Sequence, residues 1–154
     1  MSCQLRPASE ADIQAICDLV NGYAAQNLML PRTPAQVRHA LGDFLVAAAA
    51  GRVLGCGYLA ALGPDLVEIR SLAVAPDRQG DGIGGLLVET LVQAARARGI
   101  KYVCALTLAP EFFARHGFTR VDRWSISPKL WGECVYCPKF HACDEIAMLK
   151  VLDS

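Results

Sequence analysis

The stretch Asp77-Arg78-Gln79-Gly80-Asp81-Gly82-Ile83-Gly84-Gly85 decides how this chain is read. Ahead of it runs Val67-Glu68-Ile69-Arg70-Ser71-Leu72-Ala73-Val74, rich in β-branched residues and bounded by Pro76, which predicts a strand. Behind it, residues 86–98 place Leu87, Leu91, Ala94 and Ala95 at helical spacing, and Gly99 supplies the stop. A glycine-rich turn therefore joins a strand to a helix. Glycine lets the backbone approach a ligand with no Cβ in between. The first amides of a helix have no intrahelical acceptor, and the helix dipole adds partial positive charge there. Together these features suit a pyrophosphate. The same pattern also describes a bare strand–helix connection. It is not a P-loop, because no Gly-Lys-Ser/Thr follows, and it makes a poor dinucleotide fingerprint.

Composition narrows the class. At 154 residues the chain is long enough for one domain with one core, and 53% hydrophobic residues exclude a disordered protein. The formal charge of zero argues against a nucleic-acid surface. No apolar run reaches the length of a membrane span, since Arg52 interrupts the longest. The opening Met1-Ser2-Cys3-Gln4-Leu5-Arg6-Pro7 does not read as a signal peptide. Seven cysteines, with Cys3, Cys17, Cys56 and Cys104 spread through apparent regular structure, do not suggest a secreted disulfide framework. The expected location is the cytoplasm.

In chain order, residues 3–6 predict a short strand. Ser9 is an N-cap, with Asp12 in capping-box position, and Ile13, Ile16, Cys17 and Val20 share one face of a helix reaching about Asn21. Thr33-Pro34 opens a second helix that stops near Gly42. Residues 44–49 and 53–61 predict a hairpin turning at Gly51-Arg52, with Gly55 and Gly57 softening its return strand. After the glycine loop and its helix come a strand over 101–106, a short helix over 111–116 capped by Gly117, a strand from Thr119, and a closing strand over 146–152. This series predicts a mixed α/β sheet with helices on both faces.

Gln79-Gly80-Asp81-Gly82-Ile83-Gly84 resembles the Gln/Arg-x-x-Gly-x-Gly/Ala loop of the GNAT superfamily of N-acetyltransferases. Leu72-Ala73-Val74-Ala75-Pro76 before it and Phe112-Phe113-Ala114-Arg115-His116-Gly117-Phe118 after it resemble that family too. The resemblance implies the GNAT fold over a single domain, residues 1–154, with a cysteine-rich C-terminal segment over 127–145. It implies acetyl-CoA as cosubstrate, its pantetheine arm paired with Leu72, Ala73 and Val74. Its pyrophosphate would lie on Arg78, Gln79, Gly80, Asp81, Gly82, Ile83 and Gly84, with Phe112 and Phe113 also at the cofactor. Leu30-Pro31-Arg32, Glu68-Ile69-Arg70, Pro110-Glu111-Phe112-Phe113, Pro128-Lys129-Leu130-Trp131 and the Cys134/Cys137/Cys143 tail are similar to the short N-acetylglutamate synthases. That implies L-glutamate as acceptor and a place in arginine biosynthesis. The arginine-sensing kinase domain of the long synthases has no room here.

Glu68 and Arg70 fall on one side of a regular strand with Leu72 and Val74. Two charges on a mostly apolar strand either pair with each other, lie at a wet end, or line a cleft. In the last case Arg70 grips a carboxylate in the bidentate manner open to a guanidinium, and Glu68 accepts the amine proton as the catalytic base. Lys129 and Arg32 are further candidates for the substrate carboxylates. Many GNAT enzymes carry a tyrosine where this chain has Phe113, so protonation of the leaving thiolate falls to water or to a hydroxyl such as Thr107 or Ser125. His39, His116 and His141 read as surface residues.

Cys134, Cys137, His141 and Cys143 form C-x2-C-x3-H-x-C, a soft donor set that could hold a tetrahedral zinc. A disulfide or packed thiols explain the same residues. Three functions therefore compete: acetylation of glutamate, acetylation of another small amine, amino acid or protein N-terminus, and a non-catalytic CoA sensor governed by the thiols. The expected partners are small molecules, with neither nucleic acid nor membrane, and a homodimer is left open.

Overall fold

The computed structural model describes residues 3–122 and 145–152. Its elements are β1 (Gln4–Pro7), α1 (Ile13–Ala24), α2 (Pro34–His39), β2 (Phe44–Ala49), β3 (Arg52–Ala61), β4 (Leu66–Val74), α3 (Ile83–Ala97), β5 (Tyr102–Thr107), α4 (Pro110–Ala114), β6 (Thr119–Val121) and β7 (Ile146–Val151). Single 3-10 turns stand at Glu10–Asp12, Leu41–Asp43 and Pro76–Arg78. The strands hydrogen-bond in the order β1-β2-β3-β4-β5-β7-β6, a mixed sheet as expected. Among the described residues no helix is long and apolar enough to cross a membrane. The fold divides into two compact units, Met1–Leu59 with Ile69–Leu91, and Ala60–Glu68 with Val92–Ser154.

In the first unit the registers Arg6↔Val46 and Val46↔Cys56 put three side chains on one face. That face meets α1: Arg6 bonds Asp12 just ahead of the helix, and Ile13, Ile16, Cys17 and Val20 are buried. Leu5, Ala47 and Gly55 lie in register on the opposite face, under α3. There Ala47, Leu54, Ile83 and Leu87 form a core cluster joined by Leu72 and Val74. Gly55 and Gly57 do more than soften β3. A Cβ on Gly55 would lie 2.9 Å from Leu87 Cδ1, and one on Gly57 would lie 3.1 Å from Leu72 Cδ1 and 3.3 Å from Leu91 Cδ1. Helices thus cover both faces of this unit.

The helix starts follow their caps. The Asp12 carboxylate accepts from Ser9 N at 2.7 Å and from Ser9 Oγ at 3.1 Å, while Arg6 donates to it at 2.7 and 3.0 Å. Thr33 and Gln36 close a reciprocal capping box over Pro34. α1 runs to Ala24, three residues past the expected end, and α3 begins at Ile83 rather than at Leu86. The hairpin turn also sits one residue earlier than expected. Ala49 pairs with Arg52, leaving Ala50 and Gly51 as a two-residue loop with φ of 52° and 74°.

In the second unit the start of β4 pairs with β5 in parallel, over Leu66↔Tyr102, Val67↔Val103 and Glu68↔Cys104. β7 inserts between β5 and β6, antiparallel to both. α4 ends at a left-handed Gly117, φ 86°, where Phe118 N donates to Phe113 O and Lys150 Nζ donates to His116 O at 2.8 Å. A cation on the last carbonyls of a helix is favourable. A Cβ at Gly117 would meet only the flexible tip of Lys150, so it is the left-handed φ that calls for glycine here.

Two outcomes check these features. Ala50 holds a left-handed conformation that disfavours a Cβ, so Ala50→Gly should raise stability by about 0.5–1 kcal/mol in urea unfolding. A fall would contradict the turn. The Arg6 guanidinium and the Ser9 donors hold the Asp12 carboxyl down at about 2. A carboxylate with a depressed folded pKa stabilises above its unfolded value near 4 and loses that contribution as the pH falls toward 2. Asp12→Asn should therefore cost on the order of 2 kcal/mol at neutral pH and progressively less below pH 4, read by thermal melts across that window.

Candidate active site

The glycine loop lies wholly in the first unit. Pro76–Arg78 makes one 3-10 turn, Gln79 is extended, and Gly80 and Gly82 are left-handed with φ of 89° and 84°. Leu86 N donates to Gly82 O at 3.1 Å, so Gly82 is the residue from which α3 starts. Gly84 and Gly85 are thus helical, and the amides of Ile83, Gly84 and Gly85 form the first turn, which has no intrahelical acceptors. A Cβ at Gly80 or Gly82 would meet nothing within 4 Å, so this side of the loop faces open space. First-turn amides without intrahelical acceptors, beside two left-handed glycines, give the loop the form of an anion cradle.

Charge around the loop comes from arginine. Arg52, at the hairpin turn, donates to both Asp77 oxygens at 2.9 and 2.8 Å, and the pair holds the Asp77 carboxyl down at about 2. Arg78 Nε lies 3.5 Å from Asp81 Oδ2, which offsets the second acidic side chain of the loop. The sequence holds no lysine before Lys101.

The strand entering the loop departs from the regular alternation expected of it. Ser71 is left-handed, φ 53°, in the middle of β4. Leu72 and Val74 beyond it belong to the core under α3, so the face assigned to Glu68 and Arg70 does not simply continue through them. The Ser71 carbonyl accepts from Cys56 Sγ at 3.4 Å. Burial pushes the Cys56 thiol up to about 12, which keeps it neutral and unreactive. Glu68 is only 5% exposed, and Arg70 is half-buried. Arg32 is half-buried, its main chain gripped by the Asn21 amide through two 2.9 Å bonds.

In the second unit Phe113 is buried edge-on against Phe112 and Phe118, with centroids 5.1 and 5.2 Å apart. Phe112 is half-buried and also contacts His116. Thr107 Oγ1 accepts from Ala109 N at 2.8 Å, a local structural bond. His39 is exposed and His116 half-buried. Lys129, Ser125 and the set Cys134, Cys137, His141 and Cys143 lie outside the described residues. Among the described residues no group of three metal-ligating side chains comes together.

Sequence reasoning missed Tyr23. Its hydroxyl donates to Val74 O and accepts from Gln79 Nε2, both at 2.5 Å. These partners stand 51 and 56 residues away, so no local spacing could reveal them.

A strand, a left-handed residue within it, a glycine loop and a helix start give this site the form of a pyrophosphate cradle. Comparison with known proteins gives the class. The family described as acetyltransferase (GNAT) domain matches residues 40–120. An uncharacterized N-acetyltransferase of Chlorobaculum tepidum is 40% identical over 96% of this chain and 96% of its own length. The amino-acid acetyltransferase of Mycobacterium tuberculosis is 39% identical over 84% of this chain and 75% of its own. A Mycobacterium tuberculosis protein crystallised with CoA and NLQ superposes with a TM-score of 0.85 at 34% identity, covering 97% of this chain and 99% of that one. The N-acetylglutamate synthase of Neisseria gonorrhoeae shares the fold, with a TM-score of 0.89 at 24% identity, over all of this chain but 36% of that one. This chain belongs to the GNAT family, as an acetyl-CoA-dependent N-acetyltransferase.

Gly82→Val tests the cradle. Its left-handed φ strains any branched residue, and its side chain would enter the open side of the loop. Affinity for acetyl-CoA should fall tenfold or more by calorimetry, about 1.4 kcal/mol. Unchanged affinity would remove the loop from the binding site.

Proposed function

We propose that the enzyme acetylates the α-amine of L-glutamate by direct transfer from acetyl-CoA, the reaction that opens arginine biosynthesis. The observation that supports this most is the 39% identity to an amino-acid acetyltransferase across 84% of the chain. In this reading the pyrophosphate rests on residues 79–84, and the pantetheine arm pairs with the backbone of Leu72, Ala73 and Val74. The neutral amine attacks the thioester carbon. Its proton passes to Glu68, directly or through one water, and the carbon–sulfur bond breaks as the tetrahedral centre collapses. Phe113 carries no proton, so water supplies one to the departing thiolate. The proposed setting is one cytoplasmic domain; self-association into a homodimer is compatible with it, and zinc on the tail cysteines plays no part in transfer.

Glutamate carries two carboxylates, and neither is buried cheaply without a donor. Arg70 and Lys129 supply those donors, with Arg32 as a third. Each charge-assisted bond contributes roughly 1.5–3 kcal/mol, or about one to two decades in binding. Arg70→Ala and Lys129→Ala should each raise the glutamate KM by that factor and leave acetyl-CoA affinity nearly intact. The deciding assay supplies acetyl-CoA with a panel of amino acids, polyamines and N-terminal peptides, and a dye reports free thiol. Equal turnover of uncharged amino acids would exclude glutamate as the selected acceptor. Preference for a peptide would point to N-terminal acetylation, and no turnover with any amine would leave a CoA-binding sensor.

A further inference from the structure

The last turns of α1 carry two side chains that each hold a distant stretch of the same unit. Asn21 grips the main chain of Arg32 through paired 2.9 Å bonds. Tyr23 reaches the other way, to the end of β4 and the first residue of the glycine loop. Beside Tyr23 lies a groove of about 520 Å³, bordered also by Gly22, Gln26, Val53 and Pro76. Gln79 is itself exposed, with an extended backbone, and Gly80 after it is left-handed. A solvent-facing glutamine next to a glycine has many conformations to lose when a ligand orders it. The phenol removes most of that freedom. Its position is set by a helix, and one oxygen engages both the Val74 carbonyl and the Gln79 amide.

We propose that Tyr23 is a positioning residue for acetyl-CoA, locking Gln79 to the end of β4 so that the amides of the glycine cradle already face the pyrophosphate before it arrives. This rests on the assignment of residues 79–84 to that pyrophosphate. The Gln79 side chain is then a strut and its main chain the ligand-facing part. Ordering the cradle in advance lowers the cost of binding without adding a contact to the ligand. Tyr23 touches no reacting atom, so its effect falls on binding and leaves turnover alone.

The experiment compares the unaltered chain with Tyr23→Phe, Gln79→Met and the double variant. Acetyl-CoA is titrated by calorimetry, kinetics are measured at saturating acceptor, and melting temperatures are recorded. Tyr23→Phe should raise both the Kd and the KM for acetyl-CoA about five- to tenfold, with kcat within twofold, and Gln79→Met should do the same. Because both changes break one shared bond, the double variant should bind no worse than either single one. A Kd within twofold of the unaltered protein overturns the proposal, and so do losses that multiply in the double variant. A lower melting temperature with unchanged Kd also overturns it, since the bond would then serve stability alone. If the unaltered chain fails to bind acetyl-CoA, the loop assignment falls first and the proposal with it.

Discussion

The structure around the glycine loop depends on how closely α3 lies on β3. At Gly55 and Gly57 the strand has no side chain, and Leu87 and Leu91 occupy the space a Cβ would need. Protein interiors have few voids, so a methyl group added there must move a neighbour. The nearest neighbours are the helix that begins at Ile83 and the core residue Leu72. A shift of α3 would carry the amides of its first turn away from the loop. The anion cradle is therefore set from behind, by two glycines some 25 residues before it, as much as by its own glycines.

The front of the cradle is set by hydrogen bonds that reach across the chain. Arg52 ties the hairpin turn to Asp77, and Tyr23 ties the end of α1 to Gln79. The Ser71 carbonyl, turned by its left-handed residue, takes the Cys56 thiol. Burial keeps the Cys56 thiol neutral, and Phe113 is committed to an aromatic cluster. Of the side chains considered for proton transfer, the buried Glu68 alone among the described carboxylates lies on the strand that leads to the loop.

Much of this was legible in the sequence because it is local. The Ser9–Asp12 and Thr33–Gln36 caps lie three residues apart, and β2 emerged with its limits as expected. Glycine spacing over positions 79–84 announced a turn between a strand and a helix, which is what the structure shows. What escaped was set by tertiary contact. Helical periodicity placed the start of α3 at Leu86, because Gly84 and Gly85 look like loop and become helix only when packing supports them. Alternation along β4 failed at Ser71, where nothing in the residue type signals a left-handed turn. Gly55 and Gly57 looked like weakness in a strand until the helix above them was visible. The same holds for Tyr23, whose two partners are remote in sequence.

The arginine character of the cations has a chemical consequence. An enzyme that holds an activated thioester also holds a reagent that can acylate its own amines. Lysine becomes a nucleophile whenever it loses its proton, whereas a guanidinium keeps its charge at any physiological pH. The unit that carries the glycine loop contains no lysine at all; its cations are six arginines, of which Arg52 and Arg78 pair with the loop's Asp77 and Asp81. Of the four lysines in the sequence, Lys150 is held by its bond to the His116 carbonyl. The glycine loop thus carries no side-chain amine of its own to compete with the acceptor for the acetyl group.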